Sequence, residues 1–243
     1  MIDTHAHLDA LDDPTAALER AREAGVDRVV AIGSGLASAR ATRAIAERES
    51  GVLVALGIHP HQAGDGDSLS ELRALLDGAV AVGEIGLDFY RDYAPRDAQR
   101  RVFDAQLELA VELHTPVIIH TRAADEETGR MLEGFDGDVV MHCFSTPELL
   151  AMALERAYYV SFAGNVTYPK AGSLRDAAAK IPRERLLAET DCPYLAPQPV
   201  RGKRNEPAYV VHTLAALAET RGEDANELAR QIDANANAVF SLS

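Results

Sequence analysis

The chain is short of the residues on which several classes of protein depend. It has two cysteines in 243 residues, Cys143 and Cys192, too few for the disulfide framework of a secreted domain. Each directly follows a residue of chemical interest, His142 and Asp191. Strand alternation is expected to turn each thiol away from that neighbour's face as a buried structural group. No apolar run is long enough to span a bilayer, and the first residues lack the basic segment and apolar stretch of a secretory signal, so a soluble, cytoplasmic protein is expected. Lysine is scarce: Lys170, Lys180 and Lys203 are the only three among 24 basic residues, and 38 acidic residues bring the net charge to −14. That balance excludes a broad electrostatic embrace of duplex nucleic acid, whose affinity comes from many Lys and Arg contacts that release counterions. Any contact with phosphate must therefore be local. A dinucleotide Gly-x-Gly-x-x-Gly at the first strand and a Walker-type phosphate loop are both missing, which weighs against an open nucleotide-binding sheet. Low-complexity segments and residue-level repeats are also absent, and nothing calls for an obligate protein partner.

What remains is a regular alternation. Short apolar or β-branched runs at Met1 to Thr4, Arg28 to Ile32, Val52 to Leu56, Ala79 to Val82, Pro116 to Ile119, Asp138 to Met141, Tyr158 to Phe162 and Arg185 to Ala188 read as eight strands. Helical patterns lie between them, as in Phe103, Leu107, Ala110 and Val111, which share a face at 3.6 residues per turn. Pro14 behind Asp13, and Pro147 behind Ser145-Thr146 and before Glu148, mark two helix starts. Eight strands alternating with helices within this length predict one α/β domain over residues 1–243, a single (β/α)8 TIM barrel of the metallo-dependent hydrolase type.

In such a barrel the C-terminal strand ends face the catalytic mouth. Eight polar residues fall there: His5 and His7 after strand 1, His59 and His61 after strand 3, Glu84 after strand 4, His120 after strand 5, His142 after strand 6 and Asp191 after strand 8. The two-residue strand period puts His5 and His7 on one face. A lone His-x-His is commonly just polar decoration of a strand end, but six candidate ligands at one mouth point to a dinuclear metal centre: His5, His7, Glu84, His120, His142 and Asp191. Imidazole and carboxylate donors without thiolate suit two divalent ions such as Zn, Mn, Fe, Co or Mg, and the four histidines weigh against an all-magnesium cage. Such a centre can activate water against a phosphodiester, an ester or an amide. A barrel retained only as a binding scaffold would have no use for four clustered histidines, which are costly to bury unpaired.

The blocks Asp-Thr-His-Ala-His-Leu-Asp (3–9), Gly-Ile-His-Pro-His (57–61), Gly-Glu-Ile-Gly-Leu-Asp-Phe-Tyr (83–90), Ile-His-Thr-Arg (119–122), His-Cys-Phe-Ser (142–145), Glu-Thr-Asp-Cys-Pro-Tyr-Leu-Ala-Pro (189–197) and Arg-Gly-Lys-Arg-Asn-Glu-Pro (201–207) resemble, in order and over the whole chain, the TatD family of metal-dependent deoxyribonucleases in the amidohydrolase superfamily. The resemblance implies a nucleic acid substrate, DNA in the first instance. It also implies that His5, His7, Glu84 and Asp191 hold one ion and Glu84, His120 and His142 the other, with Glu84 bridging. Asp191 would orient or deprotonate the attacking water, and His59 would lie near the scissile phosphate. His61 is a further substrate-contact candidate, and Arg201, Lys203 and Arg204 look like a phosphate-binding strip. Glu189, inward with Asp191 by the two-residue period, is expected to hydrogen-bond a ligand. The alternative activity that the resemblance leaves open is ester or amide hydrolysis, such as deacylation of D-aminoacyl-tRNA. The chain departs from the family pattern at Ala123-Ala124, where a supporting carboxylate is either missing or supplied by Asp125, at Val200, and at Tyr168-Pro169-Lys170.

Overall fold

The aliphatic runs form eight parallel strands in the computed structural model, which describes residues 1–64, 69–145 and 147–242. They are β1 (Ile2–Ala6), β2 (Arg28–Ser34), β3 (Val52–Gly57), β4 (Ala81–Asp88), β5 (Val117–Arg122), β6 (Val139–Met141), β7 (Tyr159–Phe162) and β8 (Leu186–Ala188). Each pairs with the next in chain order. Closure between the ends of the sheet is made partly beyond β8: Ala6 bridges Cys192, the His7 amide donates to the Cys192 carbonyl at 2.8 Å and the Asp191 amide to the His5 carbonyl at 2.9 Å. Lower down, the Thr4 hydroxyl donates to the Ala188 carbonyl at 3.0 Å. The architecture is the expected (β/α)8 barrel.

The strands reach further toward the mouth than their apolar runs. β4 continues through Glu84 to Asp88, and β5 through His120 to Arg122, so polar ligands sit inside the ladder rather than after it. Two glycines allow β4 to lie this close to β5. A Cβ on Gly86 would stand 2.0 Å from the His120 carbonyl oxygen, and one on Gly83 2.7 Å from Ile118, and both glycines have positive φ. Only glycine fits such an approach. The strands are buried on both faces, toward the barrel interior and toward the helices, with Val30, Ile32, Leu56, Ile85, Ile118 and Phe162 all fully buried. Each contributes about 1.5–3 kcal/mol of transfer free energy.

The helices that position the site are α1 (Pro14–Glu23), α2 (Leu36–Ala46), α3 (Leu69–Leu75), α4 (Arg96–Leu113), α5 (Asp125–Leu132), α6 (Leu150–Glu155), α7 (Gly172–Ala178), α8 (Val210–Arg221) and α9 (Ala225–Val239). The start at Pro14 is as expected, with the Asp13 carboxylate accepting from the Ala16 amide at 3.0 Å. At Pro147 a 3-10 turn, Pro147–Leu149, leads into α6 instead, and Thr146 lies outside the described residues. Along α4, Phe103, Leu107 and Ala110 are buried, but Val111 is 58% exposed. It lies eight residues from Phe103, about 80° around the helix from it and beyond the margin of the buried stripe. Two buried amides on the inner face of α4 serve the mouth directly. Gln106 brackets the Ile58 peptide, accepting from its amide at 2.7 Å and donating to its carbonyl at 3.1 Å. Gln99 does the same for Asp88, at 2.8 and 3.1 Å. No helix of the described residues is long and apolar enough to cross a membrane.

Candidate metal centre

At the mouth, β1, the ends of β3, β4, β5 and β6, and the segment after β8 converge on the carboxylate of Glu84, which is 2% exposed. Its Oε2 stands 3.6 Å from Nε2 of both His5 and His7. Its Oε1 faces the other side of the barrel, 2.7 Å from His120 Nδ1, 3.1 Å from His142 Nε2 and 3.3 Å from His59 Nε2. Asp191 closes the first side, with Oδ1 3.5 Å from His7 Nε2 and 3.9 Å from His5 Nε2. The residue after the barrel's last strand can reach this position because Asp191 takes a left-handed backbone, φ 55°, which Asp tolerates better than most residues. A cavity of about 840 Å³ opens above the group, lined by His7, His59, His61, Glu84, Asp88, His120, His142 and Asp191 among others.

The proton positions follow from the hydrogen bonds. His59 Nδ1 accepts from the His61 amide at 3.1 Å, so the neutral ring carries its proton on Nε2, aimed at Glu84. Burial pushes His59 down to about 4, despite the attraction of Glu84, so this tautomer is the neutral donor. His142 is oriented the opposite way. Its Nδ1 lies 2.8 Å from Glu189 Oε1, which turns Nε2 to the centre, where its lone pair would serve a metal once the ring gives up its second proton, as in carboxylate–histidine pairs that support a metal. Glu189 also accepts from the Cys143 amide at 2.8 Å. His5 is fully buried and pushed down to about 3, by burial and then by His142.

Charge at the centre is balanced by protons. Burial would raise Glu84, but His59, His142 and His120 hold it well below the usual carboxylate range. Burial would likewise lower His7, His120 and His142, yet all three are raised: His7 by Asp191 and Glu84, His120 by Asp88 and Glu84, and His142 by Glu189 and Glu84.

The donor set fits divalent ions. Both nitrogens of His5, Nε2 of His120 and Oε2 of Glu189 are buried without a hydrogen-bond partner, an expensive state for polar atoms unless another ligand satisfies them. His5, His7 and Glu84 form one close group, His5, His142 and Glu189 another, and His59, Glu84 and His120 a third.

Two side chains with clear roles here are not prominent in the sequence. Asp88 is fully buried. Its Oδ2 is 2.7 Å from His61 Nε2 and 3.4 Å from His120 Nε2, and its Oδ1 accepts from the Tyr90 and Arg91 amides at 3.0 and 2.9 Å. It is thus the carboxylate that stands beside His120, whereas Asp125 accepts from the Thr121 hydroxyl at 3.4 Å. Asp3 is also fully buried and is pushed up to about 8 by burial. It accepts from the Thr190 hydroxyl at 2.5 Å, the Thr190 amide at 2.9 Å and the His5 amide at 3.3 Å, tying the two ligand-bearing segments together. The sequence signal for both lay within the quoted blocks, as the last acidic residue of residues 83–88 and the first of residues 3–9.

Cys192 is buried as expected, but Cys143 lines the cavity. β6 ends at Met141 and Cys143 has φ 44°, so strand alternation no longer governs its direction. The basic strip lies in the loop after β8. Arg204 pairs with Asp12 at 3.1 Å and donates to the Ala10 carbonyl, and the Arg201 guanidinium lies 4.0 Å from the Tyr168 ring centroid. Neither these nor Lys203 line the central cavity, whereas Arg91 and Arg122 do.

Against known proteins, the family model described as TatD related DNase matches residues 2–241. A Bacillus subtilis protein named uncharacterized metal-dependent hydrolase YabD is 36% identical, with 100% of both chains covered. The Pantoea ananatis 3'-5' ssDNA/RNA exonuclease TatD is 38% identical, covering 95% of this chain and 94% of its own. Among solved structures, the TatD homolog YJJV from Escherichia coli K12 superposes with a TM-score of 0.93 at 32% identity, over 100% of this chain and 98% of that one.

Proposed function

The chain belongs to the TatD family of metal-dependent hydrolases, and from that premise we propose that it is a nuclease cleaving phosphodiester bonds, most readily in DNA, at a dinuclear centre. The two-sided environment of Glu84 carries this reading. One carboxylate oxygen faces His5 and His7, the other faces His120 and His142, which is the arrangement a bridging ligand needs.

In this reading His5, His7, Glu84 and Asp191 hold one divalent ion, and Glu84, His120 and His142 the second. Two such ions supply Lewis acidity and a nucleophilic water at neutral pH. Asp191, 13% exposed at the cavity wall, accepts the proton of the attacking water. His59 acts by donation: with Nδ1 occupied by the His61 amide, its Nε2–H is free to leave Glu84 for a non-bridging phosphate oxygen. Glu189 holds the His142 ring in the tautomer that presents Nε2. Gln99 and Gln106 keep Asp88 and the segment before His59 in register with the barrel. Neutral imidazoles add no charge, so a loaded centre of four histidines and two carboxylates is net positive and draws an anion to an otherwise acidic chain. Arg91 and Arg122, along with His61, are placed to contact flanking phosphates; Arg201, Lys203 and Arg204 would serve only a strand that extends beyond the cavity.

The test is to incubate protein reconstituted separately with zinc, manganese, cobalt or magnesium with end-labelled single-stranded DNA, duplex DNA, RNA and an aminoacyl ester. Cleavage of the nucleic acid arms, abolished by chelator, is the expected result. Turnover of the ester arm alone would replace the nuclease by a deacylase acting through the same centre.

A further inference from the structure

Among the described residues, five large apolar or aromatic side chains are substantially exposed; two of them, Tyr93 and Tyr194, line the central cavity, and a third, Tyr90, stacks with Arg122, which also lines it. Tyr90 and Tyr93 are each 65% exposed and Tyr194 is 57% exposed, an unfavourable presentation of aromatic surface that a monomeric barrel does not require. They also stand at opposite ends of the ligand set. Tyr194 packs edge-on to His7, with centroids 5.9 Å apart, and Tyr93 packs edge-on to His61 at 4.8 Å. Between them an unbroken series of ring contacts crosses the centre, from His7 through His5, His142 and His120 to His61.

Two arginines complete the rim. The Arg122 guanidinium lies 4.1 Å from the Tyr90 ring centroid and that of Arg91 6.0 Å from it. Neither has an ion-pair or hydrogen-bond partner for its guanidinium among the described residues. Arginines on the outer helices differ: Arg73 pairs with Glu112 and Arg101 with Asp97. In a chain of net charge −14, unpaired guanidinium groups that stack on tyrosine beside the cavity are suited to a planar, anionic polymer.

Resting on the nuclease reading above, the geometry points to a stacking collar in which Tyr93 and Tyr194 each take an unpaired base on either side of the scissile phosphate, while the Tyr90–Arg122 stack takes the next nucleotide. Such a collar reads π-faces, which only an unpaired strand exposes, so it selects single strands without reading sequence. Tyr93 and Tyr194 are positioning residues: they fix where the strand crosses the centre.

The experiment compares two strands of equal length and charge, one carrying 2-aminopurine beside the central phosphate and one abasic there. Binding to the metal-loaded protein is read first, by fluorescence quenching for the labelled strand and by competition for the abasic one; cleavage of both is read second. Stacking of one base on an aromatic side chain is worth roughly 5- to 150-fold in affinity. The wild-type protein is expected to prefer the base-containing strand by a factor in that range. Tyr93→Ala and Tyr194→Ala should each reduce the preference and the quenching, with metal content retained, and Tyr93→Phe and Tyr194→Phe should restore both. Equal affinity of the wild-type protein for the two strands, or alanine variants that weaken both strands equally, would overturn the collar, as would a complete lack of binding. Preferential binding without cleavage under any metal would leave the collar standing and remove the nuclease reading alone.

Discussion

Replacing Glu84 by Gln separates two opposed consequences of one buried carboxylate. The substitution preserves size and one carbonyl oxygen, but it removes the charge and turns the second oxygen into a donor. In the structure Oε1 has three imidazoles within 3.3 Å and Oε2 has two at 3.6 Å, so both halves of the centre lose a partner together. Removing even a supporting carboxylate that does not touch the metal costs about 10- to 100-fold in metal affinity. A bridging carboxylate should cost at least that at each ion. Under conditions that saturate wild-type protein with two ions, Glu84→Gln should retain no more than one, and hydrolysis should fall with the doubly loaded fraction. The metal-free protein should respond differently. Burying a carboxylate carries several kcal/mol of desolvation, offset here by protons held on His7, His120 and His142. Without Glu84 each of those rings keeps its second carboxylate, Asp191 for His7, Asp88 for His120 and Glu189 for His142, so no uncompensated charge stays behind. The metal-free variant should then melt close to wild type, with about 2–4 °C in Tm for each kcal/mol gained or lost in a chain of this size. Elemental analysis and calorimetric melts after chelator treatment read both quantities. A metal-free variant melting several degrees below wild type, or one binding two ions with unchanged affinity, would refute the reasoning.

Asp191→Asn should keep the fold and at least one ion while slowing hydrolysis by about 100-fold or more, the scale of a positioned general base; a near wild-type rate together with an inactive His59→Ala would exchange the two roles. Asp3 has a folded-state pKa of about 8, above its unfolded value of 3.8, so the folded chain holds the extra proton and its contribution to stability, complete below pH 4, is lost as pH rises toward 8. Asp3→Asn should flatten that decline by up to about 1.4 kcal/mol per pH unit, and parallel urea-melt profiles of the two metal-free proteins between pH 5 and 8 would contradict it. Since His7, His120 and His142 are raised in the metal-free chain, ion binding near pH 7 should release protons, and affinity should rise with pH; calorimetry in buffers of different ionisation enthalpy would expose the opposite result as a buffer-independent heat.

The candidate ligands were legible because the signal for each is local: a His-x-His on a short strand, or a carboxylate at the end of an apolar run. Strand limits were less so. Apolarity stops at the barrel's water-facing mouth, but the hydrogen-bond ladder of β4 and β5 runs on through Glu84, Asp88 and His120. Asp88, Gln99 and Asp3 depend on partners 11 to 187 residues away, which periodicity does not reach. Gln99 and Gln106 did leave a trace, two polar residues seven apart on the buried face of α4, a pattern that only a polar partner at the strand ends would explain. Cys143 escaped because alternation presumes an extended chain and its backbone is left-handed. The orientation of the basic cluster at 201–204 was hidden for a related reason: sequence proximity to Asp191 says nothing about which way a loop folds, and Arg204 turns back to Asp12.

The seam that closes the barrel also dictates when the centre can exist during synthesis. Asp3 and Thr190 lie 187 positions apart, and His5 meets Asp191 across the same seam. At roughly 5–20 residues per second, the first strand leaves the ribosome about 10–40 s before its closing partner. Throughout that interval β1 is an unpaired edge, the kind of exposed strand that invites pairing with other chains, and its two histidines have no Asp191 to face. A translation product stopped before residue 191 would carry most of the donors and still lack the carboxylate that completes the first ion's set. On the function proposed above, hydrolytic competence would thus arrive only with the last quarter of the chain.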